Sequence, residues 1–142
     1  MITQMTQKSK AQITQMGNKK NFPLKEITYQ IIGIAMKIHK QLGPGFLEAV
    51  YEEALIIEFR KNKIEFKNQV SLNIYYKGYK LKKKYRADFI INDKILVEVK
   101  KIGRLTKIDE MQMINYLKAA NLKVGLLLNF GGTSLQWKRI VY

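Results

Sequence analysis

From Leu24 to Leu42 the apolar positions Ile27, Ile31, Ile34, Ala35, Ile38 and Leu42 recur at three- and four-residue steps, which predicts an amphipathic helix. Gly43-Pro44 stops it, since Gly43 suits a left-handed residue after the helix and Pro44 cannot continue it. A second helix is predicted over Gly45–Asn62, with Leu47, Val50, Tyr51, Ala54, Leu55 and Glu58 along one side and Glu48 in its first turn. The period then changes to two. Val70, Leu72, Ile74 and Tyr76 face inward against Ser71, Asn73 and Tyr75, Lys77-Gly78 turns, and Tyr79–Tyr85 returns. Short apolar runs at Phe89–Ile91 and Ile95–Val99 flank a polar Asn92-Asp93-Lys94 tip and predict a hairpin. A helix follows from about Thr106 to Ala120, ended by Asn121, with Thr106 and Asp109 spaced as a capping box. Lys123–Asn129 has the continuous apolar character of a strand buried on both faces, and Leu135–Tyr142 is a last strand with Leu135, Trp137 and Ile140 facing in. The order α-α-β-β-β-α-β-β predicts an α/β (α+β) fold with a mixed sheet flanked by helices. Its crossover helix makes the fourth strand parallel to the third.

The hairpin carries the chemistry. Its strands hold Asp88, then Glu98 and Lys100, and an acid or a lysine in a buried strand is unfavourable unless paired. A two-residue turn would set Asp88 opposite Val97 and turn Glu98 to the other face. A three-residue loop at Asn92–Lys94 pairs Asp88 with Glu98 and Ile90 with Leu96. Asp88, Glu98 and Lys100 then share one face, and Phe89, Ile91, Ile95, Val97 and Val99 form an apolar one. The second register separates the two sets, and we adopt it. Two carboxylates converging with an ammonium suit a divalent cation, with the lysine facing a phosphate or a water. A plain hairpin with a surface Glu-Lys pair is the competing reading of this segment alone.

Composition narrows the chemistry. The 142 residues carry a formal net charge of +15 from 26 Lys plus Arg against 11 Asp plus Glu, which favours a polyanionic partner, nucleic acid above all. The absence of cysteine removes disulfides and thiol chemistry and fits a cytoplasmic protein. No apolar run is long enough to span a membrane. There is no GxGxxG and no phosphate loop, and the single histidine, His39, reads as a solvated or dipole-facing side chain. Residues 1–21 read as a disordered basic arm, or as sequence upstream of the true start at Met5 or Met16. Residues 22–142 read as a single domain. Setting aside the arm's Lys8, Lys10, Lys19 and Lys20 still leaves +11 of the +15.

The ordered set Glu48, Asp88, Glu98-x-Lys100 and Gln112-x-x-x-Tyr116 resembles the PD-(D/E)XK nuclease superfamily. Within it, Gly45-Phe46-Leu47-Glu48-Ala49-Val50-Tyr51 is similar to the motif of the GxxExxY protein family. The stretches Ile38–Gly45, Tyr85–Asp88 and Leu126–Phe130 share that likeness, and Ala87 stands where the superfamily's name has proline.

The resemblance implies a restriction-endonuclease-like core and a catalytic set of Glu48, Asp88, Glu98 and Lys100. Asp88, Glu98, Glu48 and the Val99 backbone carbonyl would hold a metal, for which all-oxygen ligands favour Mg²⁺ or Mn²⁺. Lys100 would orient the attacking water or stabilise developing charge. Gln112 and Tyr116, spaced as in RecB-type nuclease domains, would shape the site together with Tyr51. Lys82, Lys83 and Lys84 read either as a solvated strand edge or, beside a phosphodiester site and with Lys101 and Arg104 after the second acid, as a hold on a nucleic-acid backbone. The expected function is a metal-dependent phosphodiesterase acting on DNA or RNA. The alternative is an inactive nuclease-fold module that binds nucleic acid or a protein. Nucleic acid is the expected partner, a membrane is not, and a homodimer is left open.

Overall fold

The computed structural model describes residues 24–142; the arm predicted over residues 1–21 lies outside them. The elements are α1 (Lys25–Leu42), α2 (Glu48–Lys61), β1 (Phe66–Tyr76), β2 (Tyr79–Ile91), β3 (Ile95–Lys100), α3 (Lys107–Ala120), β4 (Val124–Asn129) and β5 (Gln136–Val141). This is the predicted order. The sheet runs β1-β2-β3-β4-β5, antiparallel except where β3 and β4 pair in parallel across the α3 crossover.

Alternation along the central strands builds two apolar layers. Ile95, Val97 and Val99 of β3 and Val124, Leu126 and Leu128 of β4 pack with α1 and α2. Leu96 and Leu127 point the other way, with Met113 and Leu117 of α3. The β2–β3 hairpin adopts the three-residue loop, with Asn92 at φ 51° and Asp93 at φ 57° and with Ile90 opposite Leu96. Both are residue types that tolerate left-handed backbone. The loop therefore sets the register that keeps Asp88 and Glu98 on one face.

Several local expectations are corrected. β1 begins at Phe66 rather than Val70, while β2 runs unbroken from Tyr79 through Asp88 to Ile91, as expected. Tyr76 is exposed, because the β1–β2 register shifts between Asn73 and Tyr75. The helix expected from Gly45 begins at Glu48, since Gly45 takes φ 108°, and Leu47 is exposed. His39 is buried, not solvated: its Nε2 lies 2.9 Å from the Gly132 carbonyl oxygen and its ring stacks on Phe130.

One irregularity places the site. Phe66, Phe89 and Ile91 pack on the α1/α2 side, whereas Leu72 and Ala87, with Val70 and Tyr85, pack on the α3 side. Strict alternation cannot put Phe66 and Val70 on opposite faces, so the phase switches between them. The switch coincides with Gln69, at φ 55° in mid-strand and opposite Asp88 by the flanking pairs Asn68–Phe89 and Val70–Ala87. A non-glycine residue in that region is strained by about 1–3 kcal/mol, and such strain concentrates at functional sites.

Candidate active site

Asp88 sits where β2 and β3 part. The ladder between them runs from Ile91–Ile95 to Phe89–Val97, and beyond it side chains replace backbone acceptors. The Asp88 backbone N–H donates to Glu98 Oε1 at 2.8 Å, and the Val99 N–H donates to Asp88 Oδ2 at 2.8 Å. Each carboxylate is thus held by the backbone of the other's strand. Glu98 is only 7% exposed.

Both acids resist ionisation. Burial pushes Asp88 up to about 6; the charges of Glu52 and Glu48 add to the rise, and the bonds from Val99 and Gln69 oppose it. Burial pushes Glu98 up to about 8, with Asp88's charge next, opposed by the Asp88 N–H and by Lys100. Lys100 does not form an ion pair with either acid. Its Nζ donates to Gln112 Oε1 at 2.7 Å and lies 3.9 Å from Asp109 Oδ1. Asp109 is fixed in turn by the capping box, accepting the Thr106 N–H on Oδ2 at 2.8 Å. Hard oxygen donors are therefore gathered with no cation among the described residues paired to them, which fits a divalent ion whose charge would favour ionisation of both acids.

The helices deliver the remaining predicted residues unequally. Gln112 reaches the site through Lys100. Tyr116, one turn on, packs its ring 4.6 Å from Tyr85, and its hydroxyl pKa is raised by burial and then by the charges of Glu98 and Asp88. Tyr51 is fully buried and does not face the acids. It stacks on Phe130, donates its hydroxyl to the Gly43 carbonyl and accepts the Phe46 N–H at 3.3 Å. It thereby fastens the Gly43–Leu47 loop from which α2 starts. Glu48 is exposed at that helix end, close enough for its charge to raise Asp88. Among the described residues no three His, Cys, Asp or Glu side chains are grouped to hold a metal, so Glu48 does not close a three-acid cage with Asp88 and Glu98. Lys82, Lys83, Lys84, Lys101 and Arg104 are all exposed.

Sequence reasoning missed Glu52, Asn68 and Gln69. Glu52 Oε1 accepts from Asn68 Nδ2 at 2.7 Å and from Gln69 Nε2 at 2.5 Å. Gln69 Nε2 also reaches Asp88 Oδ1 at 3.3 Å, and Asn68 Nδ2 donates to the Asp88 carbonyl at 2.9 Å. Only the four-residue step from Glu48 to Glu52, which places both on one helix face, was readable. Asn129 was missed as well. Buried at the end of β4, it accepts from the Ile102 and Gly131 N–H groups and donates to the Ile102 carbonyl, while the Phe130 N–H donates to the Lys100 carbonyl. These bonds anchor the chain leaving Lys100.

The PD-(D/E)XK nuclease superfamily model matches residues 25–140, and the chain belongs to that superfamily. The solved structure titled "Crystal structure of SSO0001" is similar in fold, with a TM-score of 0.53 at 24% identity over 66% of this chain. The match spans about half, 49%, of that longer chain. No curated protein matches. PD-(D/E)XK nucleases generally depend on a divalent metal, and the donor set here suits one.

Proposed function

We propose that this protein is a metal-dependent phosphodiesterase of the PD-(D/E)XK type that cleaves DNA or RNA, and that it belongs to the GxxExxY branch of the superfamily. The observation carrying this reading is the buried, reciprocally bonded pair Asp88 and Glu98 beside an ammonium held on a side-chain amide. A purely structural pair of acids would be expected to carry a cation partner or to lie in water. Glu98 does neither.

Asp88 and Glu98 would hold Mg²⁺ or Mn²⁺ with the Val99 carbonyl, while Glu48, exposed at the α2 start, would add its charge without closing a cage. When bound, the ion supplies Lewis acidity toward a phosphate oxygen and a water of lowered pKa. Lys100, oriented by Gln112 and Asp109, sits beside Glu98 to donate to the attacking water or to stabilise charge growing on the phosphate oxygens. Gln69, itself bonded to Glu52, donates to Asp88 Oδ1 from the other side and keeps that oxygen directed. Tyr116 closes the α3 side of the site. Lys82–Lys84, Lys101 and Arg104 hold the phosphate backbone without reading bases.

The test is a Mg²⁺ and Mn²⁺ titration with end-labelled DNA and RNA on wild type and Asp88→Asn. Metal-dependent cleavage by wild type alone supports the proposal. Binding without cleavage at any metal concentration replaces it with the inactive, nucleic-acid-binding module.

A further inference from the structure

Past the Gln69–Asp88 switch, β1 and β2 continue as a two-stranded arm whose tip, at Tyr79, lies about 30 Å along the strand from Asp88. Its Lys77-Gly78 turn has both residues at positive φ, 49° and 81°, and sets Tyr76 directly opposite Tyr79. Tyr75 and Tyr76 are each 60% exposed and Tyr79 is 75% exposed. Between Phe66 and Ala87 there is no acid, while Lys77, Lys80, Lys82, Lys83, Lys84 and Arg86 crowd the same span. Scattered exposed apolar residues are ordinary. Three tyrosines interleaved with cations on one arm are the composition of a surface that stacks bases and neutralises phosphates.

Between this arm and α3 lies a groove of about 440 Å³, lined by Asn73, Tyr75, Tyr85, Asn115 and Lys118 among others. It offers aromatic faces, amides for base edges and a cation. Tyr85 in its wall packs 4.6 Å from Tyr116, on the side of the groove toward the acids on β2 and β3.

We propose that the arm and this groove bind an unpaired nucleic-acid strand, with bases stacking on Tyr75 and Tyr85 and phosphates held by Lys118 and the arm lysines, and guide it to Asp88 and Glu98. The link to cleavage rests on the nuclease reading; the binding does not. A duplex keeps its base faces stacked inside, so it cannot stack on the tyrosines, whereas a single strand can.

The experiment is fluorescence anisotropy in chelator with labelled oligothymidylate, oligouridylate and a blunt duplex of equal length, using the full chain. Single strands of at least one sugar type should bind more tightly than duplex. Tyr75→Ala should weaken single-strand binding about ten-fold or more and leave duplex binding unchanged, and Tyr75→Trp should restore it. Tyr75 is exposed, so these changes do not threaten the fold. Duplex binding as tight as single-strand binding, or Tyr75→Ala matching wild type on single strands, overturns the proposal. Cleavage that persists in that case leaves the nuclease reading standing. Tyr75-dependent binding by a protein that never cleaves removes the nuclease reading and keeps this one.

Discussion

The Asp88 backbone N–H donates to Glu98 Oε1 at 2.8 Å, so the two acids are locked across the parting strands whatever occupies the space between them. Both carry pKa values raised above their ordinary ones, to about 6 and about 8, burial being the first cause for each. The folded state holds protons that the unfolded state has already lost, so metal-free stability falls as pH rises from about 4 through about 8. Glu98→Gln keeps the acceptor for the Asp88 N–H and removes the charge. It should raise Tm at pH 8 by an amount equivalent to a few kcal/mol, on the order of the linkage, and change little near pH 4. Thermal melts in chelator at the two pH values check this, and a variant less stable than wild type at pH 8 contradicts it.

Lys100 and Gln112 should separate kinetically. Lys100→Ala removes the ammonium and should lower the single-turnover rate about 100-fold or more. Gln112→Ala leaves the ammonium present but takes away its 2.7 Å acceptor. It should lower kcat about ten-fold with little change in KM, as expected of a positioning residue. A Gln112→Ala rate equal to that of wild type would leave the amide without a role.

Tyr51 tests how the α2 start is held. Tyr51→Phe keeps the stacking on Phe130 and removes the hydroxyl that bridges Gly43 and Phe46. Two backbone groups are left without a partner, so the fold should weaken by about 1–3 kcal/mol in denaturant melts. Cleavage should fall further than this destabilisation explains, because Glu48 begins at the loosened end. Unchanged activity in the folded variant would separate Glu48 from the chemistry.

Charge reversal across Lys82–Lys84 should weaken binding to every sequence alike and flatten its salt dependence. The slope of log K against log salt should shrink by about 0.9 for each duplex phosphate that is no longer neutralised. Anisotropy over a salt series reads this. An unchanged slope would make these lysines a solvated strand edge.

Much of the site was legible because it depends on local rules. The Asn92–Lys94 loop alone decided that Asp88 and Glu98 share a face, and Ile90 does pair with Leu96. Thr106 with Asp109 announced α3, and the apolar Val124–Asn129 announced a strand buried along its whole length. Gln69 was not legible: nothing in a glutamine predicts φ 55°, so the phase switch that turns Val70 and Leu72 onto α3 had no sequence signal. Glu52 was hidden for another reason. It is one of several glutamates on α2, and only the tertiary meeting of α2 with β1 brings it to Asn68 and Gln69. His39 looked solvated beside its stripe because its acceptor, the Gly132 carbonyl, is 93 residues away.

Asp88 and Glu98 are proposed as the paired ligands of one divalent cation. Calorimetric titration of Mg²⁺ and of Mn²⁺ into wild type and Asp88→Asn, in buffers of different ionisation enthalpy at pH 6 and pH 8, tests this claim most directly. Wild type should bind with release of protons at pH 6 and more tightly at pH 8, because the bound state needs carboxylates whose pKa values are about 6 and about 8. Asp88→Asn should abolish that binding. Affinity that is flat with pH, or equal in the variant, would contradict the claim.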